Sequence, residues 1–254
     1  MGDVLLVVCG GGANNVVEGS KDLQTTPQVI FSNKEATMPL DNPEVIKKAL
    51  SNYRIVIPFC ILGGELGSDI VRTVIRCARE CNCKVVSVLG MPMEIEAERR
   101  DRAARILPDL SSISDVSLVF DVSRTMEVFE DLKNRRWDDF LKMTNRIIMS
   151  SIESIVATME GPFFTIFHEG MYAFSSSTDV LPIKAVEKAW DMMFFDNNTE
   201  KDSCVILVSA RTSSAEIESI KDQMVRDHGI MPEVLRRSDS EDSKVMVFKA
   251  VNSF

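Results

Sequence analysis

The stretch VVCGGGANNVVEG, residues 7–19, decides how this chain is interpreted. An apolar segment, DVLLVVCG at residues 3–10, leads into three consecutive glycines and two asparagines. A continuous apolar run of this length is typical of a strand that is covered on both faces of a parallel sheet. Glycines allow the backbone to approach a phosphate closely, but they also allow an ordinary tight turn. On its own, this stretch leaves a phosphate loop and a tight turn equally open.

A second glycine-rich stretch, LGGELGSD at residues 62–69, follows another buried apolar run, RIVIPFCIL. Loops at the carboxyl ends of parallel strands meet at one edge of the sheet, where ligands bind. Backbone N–H groups and helix starts in such loops bind anions. The two stretches together favour a phosphate site formed by Gly10, Gly11, Gly12, Asn14, Asn15, Gly63, Gly64, Gly67 and Ser68. A dinucleotide fingerprint is less favoured, because Asn15 replaces its third glycine, and a Walker loop would need a following lysine.

Strand-like and helix-like segments alternate through residues 3–122, which predicts a parallel sheet with helices on both faces. We expect one helix to begin at Pro43 and another at Ser68 or Asp69, and a further one over residues 123–137. Apolar residues at helical spacing predict a long helix in DDFLKMTNRIIMSSIESIVATME. The fold class is therefore α/β, with a Rossmann-like parallel-sheet domain at residues 1–136 and a connecting helix at 137–160.

A smaller C-terminal α/β domain is expected at residues 161–254. Its predicted strands are FFTIF, CVILVSA, MPEVLRR and KVMVFKAV, and its predicted helices are PIKAVEKAWDMM and SAEIESIKDQMVRDHG. The last two strands are joined by SDSEDS and are predicted to pair as a hairpin. SSSTD, residues 175–179, is interpreted as a polar turn in which Asp179 caps the next helix.

Composition excludes several classes of protein. The chain has 254 residues, 45% of them hydrophobic, and a net charge of −9, which argues against nucleic acid or anionic lipid as a main partner. The longest apolar run, IVIPFCIL, is too short to cross a bilayer, and the first residues do not resemble a signal peptide. We therefore expect a cytoplasmic protein without direct membrane insertion. The Cys77, Cys81 and Cys83 thiols of CARECNC are expected to be reduced and buried, because their spacing matches no metal site.

The order of these segments resembles the tubulin/FtsZ superfamily, and the chain is identified as a divergent, shortened FtsZ-like protein. GGGANNVV is similar to the first nucleotide loop of FtsZ proteins, and GGELGSD lies where the family has G-G-G-T-G-T-G. MPMEIEAERRDRAARILPDL is similar to the glutamate-and-arginine turn and helix of the family. VLPIKAVEKAW and CVILVSA…VMVFKA are similar to parts of its C-terminal domain. The resemblance covers nearly the whole chain, although no single motif is intact.

The resemblance implies a guanine-nucleotide site, with GTP or GDP as ligand and Mg²⁺ only if the nucleotide binds. Glu96 and Arg100 match the residues that face ribose and phosphate, although both also suit an ordinary surface helix. Phe140 matches the aromatic residue near guanine, and Thr144 or Asn145 matches a second base contact, although core packing explains Phe140 equally well. The implied partner is another copy in head-to-tail association, or an FtsZ-like protein.

Several residues depart from the family pattern. Glu65, Leu66 and Asp69 replace glycine, threonine and glycine of the signature. Glu65 would place a carboxylate beside the phosphates, and we expect Asp69 to cap the helix and fill the anion site from within. The base-reading asparagine of the family falls on Val122, which predicts weak base choice.

The catalytic loop departs furthest. In GPFFTIFHEG, Phe164 and Ile166 replace the asparagine and the first acid of the family motif, and Glu169 remains as a weak candidate beside His168. The first hypothesis is a cytoskeletal or cell-division-type GTP-binding protein with weak or absent hydrolysis. The alternative is a nucleotide-free interaction module that docks on itself or on a true FtsZ-like polymer. An unrelated α/β enzyme that uses a dinucleotide or another phosphorylated ligand is a third reading.

Overall fold

The computed structural model describes residues 2–21, 28–31, 43–124, 136–159, 166–195, 203–237 and 243–251. Nine strands in this part of the chain form one sheet, in the order β2-β1-β3-β4-β5-β6-β9-β7-β8. The strands are β1 (Gly2–Cys9), β2 (Gln28–Phe31), β3 (Tyr53–Ile61), β4 (Lys84–Met91), β5 (Val116–Asp121), β6 (Gly170–Thr178), β7 (Cys204–Val208), β8 (Glu233–Arg236) and β9 (Lys244–Val251). Strands β1 to β6 pair in parallel, whereas β9 runs antiparallel to β6 and β7. The predicted α/β fold class is confirmed.

The helices cover both faces of the sheet. They are α1 (Gly10–Glu18), α2 (Pro43–Leu50), α3 (Glu65–Glu80), α4 (Ala97–Ile113), α5 (Trp137–Met159), α6 (Pro182–Asp191) and α7 (Ser214–His228). One buried cluster lies under α1 and α5, and a second lies under α2, α3, α4, α6 and α7. The central strands read as continuous apolar runs because both of their faces are buried. The long helix predicted after residue 137 is confirmed by α5.

Several predicted elements are wrong. Strands β8 and β9 form no hairpin, because β7 lies between them. The predicted polar turn at residues 175–179 belongs mostly to strand β6, which pairs along its whole length with β9. Ile166 and Phe167 belong to no strand, and residues 163–165 of FFTIF lie outside the described residues. Asp179 does not cap α6, whose N-cap is Leu181.

Two edges of the sheet matter for the site. The carboxyl edge is where β1, β3, β4 and β5 end, at Cys9, Ile61, Met91 and Asp121. The amino edge is where β4, β5 and β6 begin, with Val116 paired to Gly170. Strand β5 pairs with β6, so the sheet continues across the predicted boundary between the two domains. The division of the chain at residues 136 and 161 stays a prediction. Most of the helix predicted at 123–137 lies outside the described residues.

Candidate functional site

Helix α1 begins directly at the end of strand β1. Cys9 is its N-cap, and no side chain caps the helix. Gly10 has φ +83°, a conformation that other residues rarely adopt. Gly11 is exposed, and a Cβ there would meet no atom within 4 Å. Gly10, Gly11 and Gly12 thus form the first turn of a helix, and neither a free loop nor a simple tight turn describes them.

Helix α3 begins after strand β3 in the same way. Its N-cap is Gly64, again without a side-chain cap, and a Cβ on Gly64 would also meet open space. Gly63 has φ +80°, and a Cβ there would lie 2.1 Å from the Arg99 carbonyl oxygen. Arg102 Nε donates to the Gly63 carbonyl at 3.0 Å. The second glycine stretch is therefore packed against the start of α4.

The two helix starts touch each other. A Cβ on Gly10 would lie 2.8 Å from the Gly67 Cα atom, so only glycine fits this contact. The first N–H groups of an α-helix have no partner within the helix, and two uncapped starts place such donors side by side. Ser68 Oγ is buried here without a hydrogen-bond partner in the described part of the chain. We call residues 10–12 and 63–68 the glycine cleft; its geometry suits an anion.

The two acids of the second glycine stretch have different roles. Asp69 was expected to cap α3, but the helix begins four residues earlier, so this prediction is wrong. The Asp69 side chain instead lies 3.5 Å from Arg72 Nη1. Glu65 is exposed in the first turn of α3. Only Glu65 thus adds negative charge at the start of α3.

The two asparagines of α1 make different contacts. Asn14 is buried, and its Nδ2 donates to Glu18 Oε1 at 2.9 Å. Asn15 is exposed, and its carbonyl accepts from Asn145 Nδ2 at 3.3 Å. Asn145 therefore ties α5 to α1, and Asn14 is occupied within its own helix.

Glu96, which precedes α4, and Arg100, in its first turn, lie at the carboxyl edge, and both are bonded within the chain. Glu96 accepts from the Met93 N–H at 3.2 Å and pairs with Arg99. Arg100 Nη2 lies 2.5 Å from Asp121 Oδ2, and Nη1 donates to the Pro92 carbonyl at 2.8 Å. The bond to Asp121 raises the pKa of Arg100. We call residues 92–100 the arginine turn.

Asp121 is the site residue that the sequence interpretation missed. It is the last residue of β5, and its Oδ1 accepts from the Ser123 N–H at 2.8 Å. A carboxylate directly after a buried apolar strand was the available signal, since such positions lie at the carboxyl edge. Its neighbour Val122, at the predicted base-reading position, is buried.

The predicted base contacts lie on α5 but are packed. Phe140 is 3% exposed, belongs to the buried cluster with Ala13 and Val16, and lies 5.4 Å from the Trp137 ring. Thr144 is buried, and its hydroxyl has no hydrogen-bond partner among the described residues. Core packing is thus the observed role of Phe140.

The described end of the predicted catalytic loop, residues 166–170, lies at the amino edge, away from the glycine cleft. His168 and Glu169 are exposed, and no hydrogen bond or ion pair joins these two described residues. Glu169 borders an open cavity of about 320 Å³ whose wall includes Ser111, Ser112 and Ser114. Phe164 lies outside the described residues. A His–Glu pair for water activation is not assembled in this arrangement.

Cys77 and Cys83 are buried thiols as expected, whereas Cys81 is half-buried. Cys77, Cys81 and Cys83 each point a sulfur toward a backbone carbonyl of α2 or the residues beside it. Burial raises the pKa of each of these thiols, and it raises that of Cys60 to about 12. Within the described ranges, no group of three potential ligands is placed to hold a metal ion.

None of the described helices is long and apolar enough to span a membrane.

A nine-stranded, mostly parallel sheet with helices on both faces and two touching, uncapped helix starts at its carboxyl edge defines a doubly wound α/β fold. No protein-family model and no curated protein matches the chain. Solved structures do match over almost its whole length. An empty FtsZ dimer from M. jannaschii has a TM-score of 0.74 and 15% identity, over 99% of this chain and 88% of that one.

Two CetZ structures give similar values. CetZ from Methanosaeta thermophila has a TM-score of 0.71 and 13% identity, over 99% of this chain and 87% of that one. A GDP-bound CetZ1 monomer from Haloferax volcanii has a TM-score of 0.68 and 12% identity, over 99% and 94%. The chain therefore has the fold of the tubulin/FtsZ superfamily, as the order of its segments predicted.

Proposed function

We propose that this chain is an FtsZ-like cytoskeletal protein of the cytoplasm that binds a guanine nucleotide weakly and hydrolyses it poorly or not at all. The observation that carries the proposal is the contact between Gly10 and Gly67, which joins two uncapped helix starts into one anion cleft. Phosphates would lie against the N–H groups of α1 and α3, and the buried Ser68 hydroxyl is a further donor.

Weak selectivity for the base is expected from the residues at the proposed base positions. Asn145 is bonded to α1, Val122 has no side-chain donor, and Phe140 is buried in the core. A site without a base-edge contact does not penalise the wrong base. We therefore expect GTP and GDP to bind with little preference over ATP. Mg²⁺ would enter only with the phosphates, whose charge it would offset.

Head-to-tail association is supported by the opposite placement of the two functional regions. The glycine cleft lies at the carboxyl edge, whereas the loop that ends at Glu169 lies at the amino edge. Stacking one copy on the next would bring these edges together, and such a heterologous contact forms filaments when its rotation does not close. The FtsZ structure with the highest TM-score given above is itself a dimer.

Poor hydrolysis is proposed because the described residues of the amino edge do not assemble a general base. Ile166 stands where the family has an acid, and Glu169 and His168 do not contact each other. Steady GTP turnover that stops on Glu169→Ala would overturn this part of the proposal.

The second candidate is a nucleotide-free interaction module that docks on itself or on an FtsZ-like polymer. It is favoured by Glu65, whose carboxylate stands in the first turn of α3. One such charge near a phosphate costs on the order of 1 kcal/mol where solvent screens it.

Calorimetric titration of the nucleotide-stripped protein with GTP, GDP and ATP tests the two candidates. Saturable binding supports the first, and comparable affinities for GTP and ATP, which differ only in the base, support weak base choice. Absence of heat, together with an unchanged melting temperature in each nucleotide, would leave only the second candidate.

A further inference from the structure

The Arg100 side chain at the carboxyl edge is held by an internal carboxylate. Its Nη2 lies 2.5 Å from Asp121 Oδ2, and its Nη1 donates to the Pro92 carbonyl. The Arg100 side chain is 29% exposed and that of Asp121 is 13% exposed. The ion pair is thus shielded from solvent on the Asp121 side and accessible on the Arg100 side.

Asp121 is fixed from its other oxygen as well. Oδ1 accepts from the Ser123 N–H at 2.8 Å, and Ser123 Oγ accepts from the Glu94 N–H at 2.7 Å. These bonds close a ring through Pro92, Glu94, Arg100, Asp121 and Ser123, which we call the arginine latch. The latch joins the end of β5 to the arginine turn.

We propose that Asp121 occupies Arg100 as a substitute anion, and that a phosphate-bearing ligand gains Arg100 only by replacing this carboxylate. The inference rests on the proposed nucleotide site. Guanidinium groups bind carboxylate and phosphate with the same fork of N–H donors, so the two anions compete for one face of Arg100. A guanidinium stays charged at neutral pH with or without an anionic partner, so Arg100 is a cation in both states.

Competition of this kind couples latch opening to ligand binding. A coupling between two such equilibria is typically worth 5- to 150-fold in affinity. Asp121→Asn keeps the shape of the side chain and an oxygen for the Ser123 N–H, but it removes the charge that holds Arg100. The substitution should therefore strengthen phosphate binding.

A matched control exists at the other edge of the sheet. Asp115 is also a shielded carboxylate, 19% exposed, which pairs with Lys84 at 3.0 Å and accepts from the Val85 N–H at 2.8 Å. Asp115→Asn removes one negative charge at the start of β5, whereas Asp121→Asn removes one at its end, and only Asp121 contacts Arg100. If lower negative charge alone strengthens GDP binding, the affinity should rise in both the Asp121→Asn and the Asp115→Asn variants.

The test is calorimetric titration of GDP into the nucleotide-stripped full chain, its Asp121→Asn and Asp115→Asn variants, and both Asp121 forms in an Arg100→Gln background. We expect Asp121→Asn to tighten GDP binding at least about fivefold, and Asp115→Asn to change it less than twofold. In the Arg100→Gln background, the gain from Asp121→Asn should disappear. Asp121→Ser is measured alongside, so that a folding defect of one variant does not decide the result.

The outcomes separate this inference from the proposed function. GDP binding that is equal in wild type and in both Asp121 variants overturns the latch and leaves the nucleotide site standing. If Asp121→Asn still strengthens GDP binding in the Arg100→Gln background, the Asp121 carboxylate acts by repelling the phosphates directly, which also overturns the latch. If none of the folded proteins binds GDP, including those in which Asp121 is replaced, both proposals are overturned.

Discussion

The glycine cleft and the arginine turn lie next to each other at the carboxyl edge, but they use their polar groups differently. In the glycine cleft, the helix starts at Gly10 and Glu65 have no side-chain cap. In the arginine turn, Glu96 and Arg100 are both bonded to groups of the same chain. The helix starts of the glycine cleft are therefore without side-chain caps, whereas the charged side chains of the arginine turn are paired within the chain.

The difference shows what survives sequence divergence. Backbone N–H donors depend on the path of the chain, and glycine at a few positions is enough to keep that path. Side-chain contacts depend on the residue type and on its neighbours, so a residue such as Asp121 can redirect them. In the proposed site, phosphates would therefore meet backbone donors, whereas the side chains at the proposed ribose and base positions are bonded or buried within the chain.

The largest expected effect tests how firmly the glycine cleft is packed. Gly63→Ala should lower the free energy of unfolding by about 3–5 kcal/mol, from the positive φ and from the clash with the Arg99 carbonyl. Chemical denaturation measures this. Gly64→Ala is the control, since its Cβ meets open space, and it should cost no more than about 1 kcal/mol. Equal losses for the two variants would contradict the close packing of Gly63 on α4.

The next effect tests whether Glu96 is structural. Glu96→Ala should destabilise the protein by about 2 kcal/mol, because the Met93 N–H and the Arg99 guanidinium lose a charged acceptor. Glu98→Ala, an exposed acid in the same first turn of α4, should change stability by about 0.5 kcal/mol or less. An unchanged melting temperature with a large loss of GDP affinity would instead make Glu96 a ligand-binding residue.

A smaller effect is expected at Asn145. Asn145→Ala should cost about 1 kcal/mol of stability, because the bond to the Asn15 carbonyl is lost. Asn15→Ala keeps that carbonyl and should leave stability within about 0.5 kcal/mol of wild type. Both variants are also titrated with GTP and ATP. A change in the ratio of the two affinities in Asn145→Ala, but not in Asn15→Ala, would show that Asn145 reads the base.

The smallest effect on stability is expected at Glu65. Glu65→Gln should leave the free energy of unfolding within about 0.5 kcal/mol, because the side chain is exposed. It should strengthen GDP binding by about fivefold, from relief of roughly 1 kcal/mol of repulsion. Asp69→Asn, one turn further into α3, should give less gain. A greater gain at Asp69 than at Glu65 would place the phosphates elsewhere.

Much of the fold could be predicted because its signals are local. The apolar runs of β1, β3, β4 and β5 are continuous since both faces of these strands are buried, and α5 shows a clear helical spacing. Strand β6 was missed because its second half, Ser175–Thr178, is polar. Its pairing with β9 lies about 70 residues away along the chain. The false hairpin of β8 and β9 has the same cause, because strand order is a long-range property that no short pattern reveals.

The candidate site was predictable in position but less so in its contacts. Glycine patterns placed Gly10 and Gly63 at the carboxyl edge, where both are observed. The bonding of Arg100 could not be predicted, because Asp121 meets it across 21 residues and only the folded sheet brings them together. The role of Asp69 was mistaken because α3 begins at Glu65, where the backbone of Gly64 serves as an N-cap without help from a side chain.

The stacking of Trp137 on Phe140 has an optical consequence. The chain has two tryptophans, and the other, Trp190, contacts the His228 ring and the Lys249 ammonium on the opposite face of the sheet from α5. Trp190→Phe would leave a single emitter, half-exposed at the first residue of α5. Its fluorescence would then report events beside α1 in real time and without an added dye, at concentrations far below those that calorimetry needs.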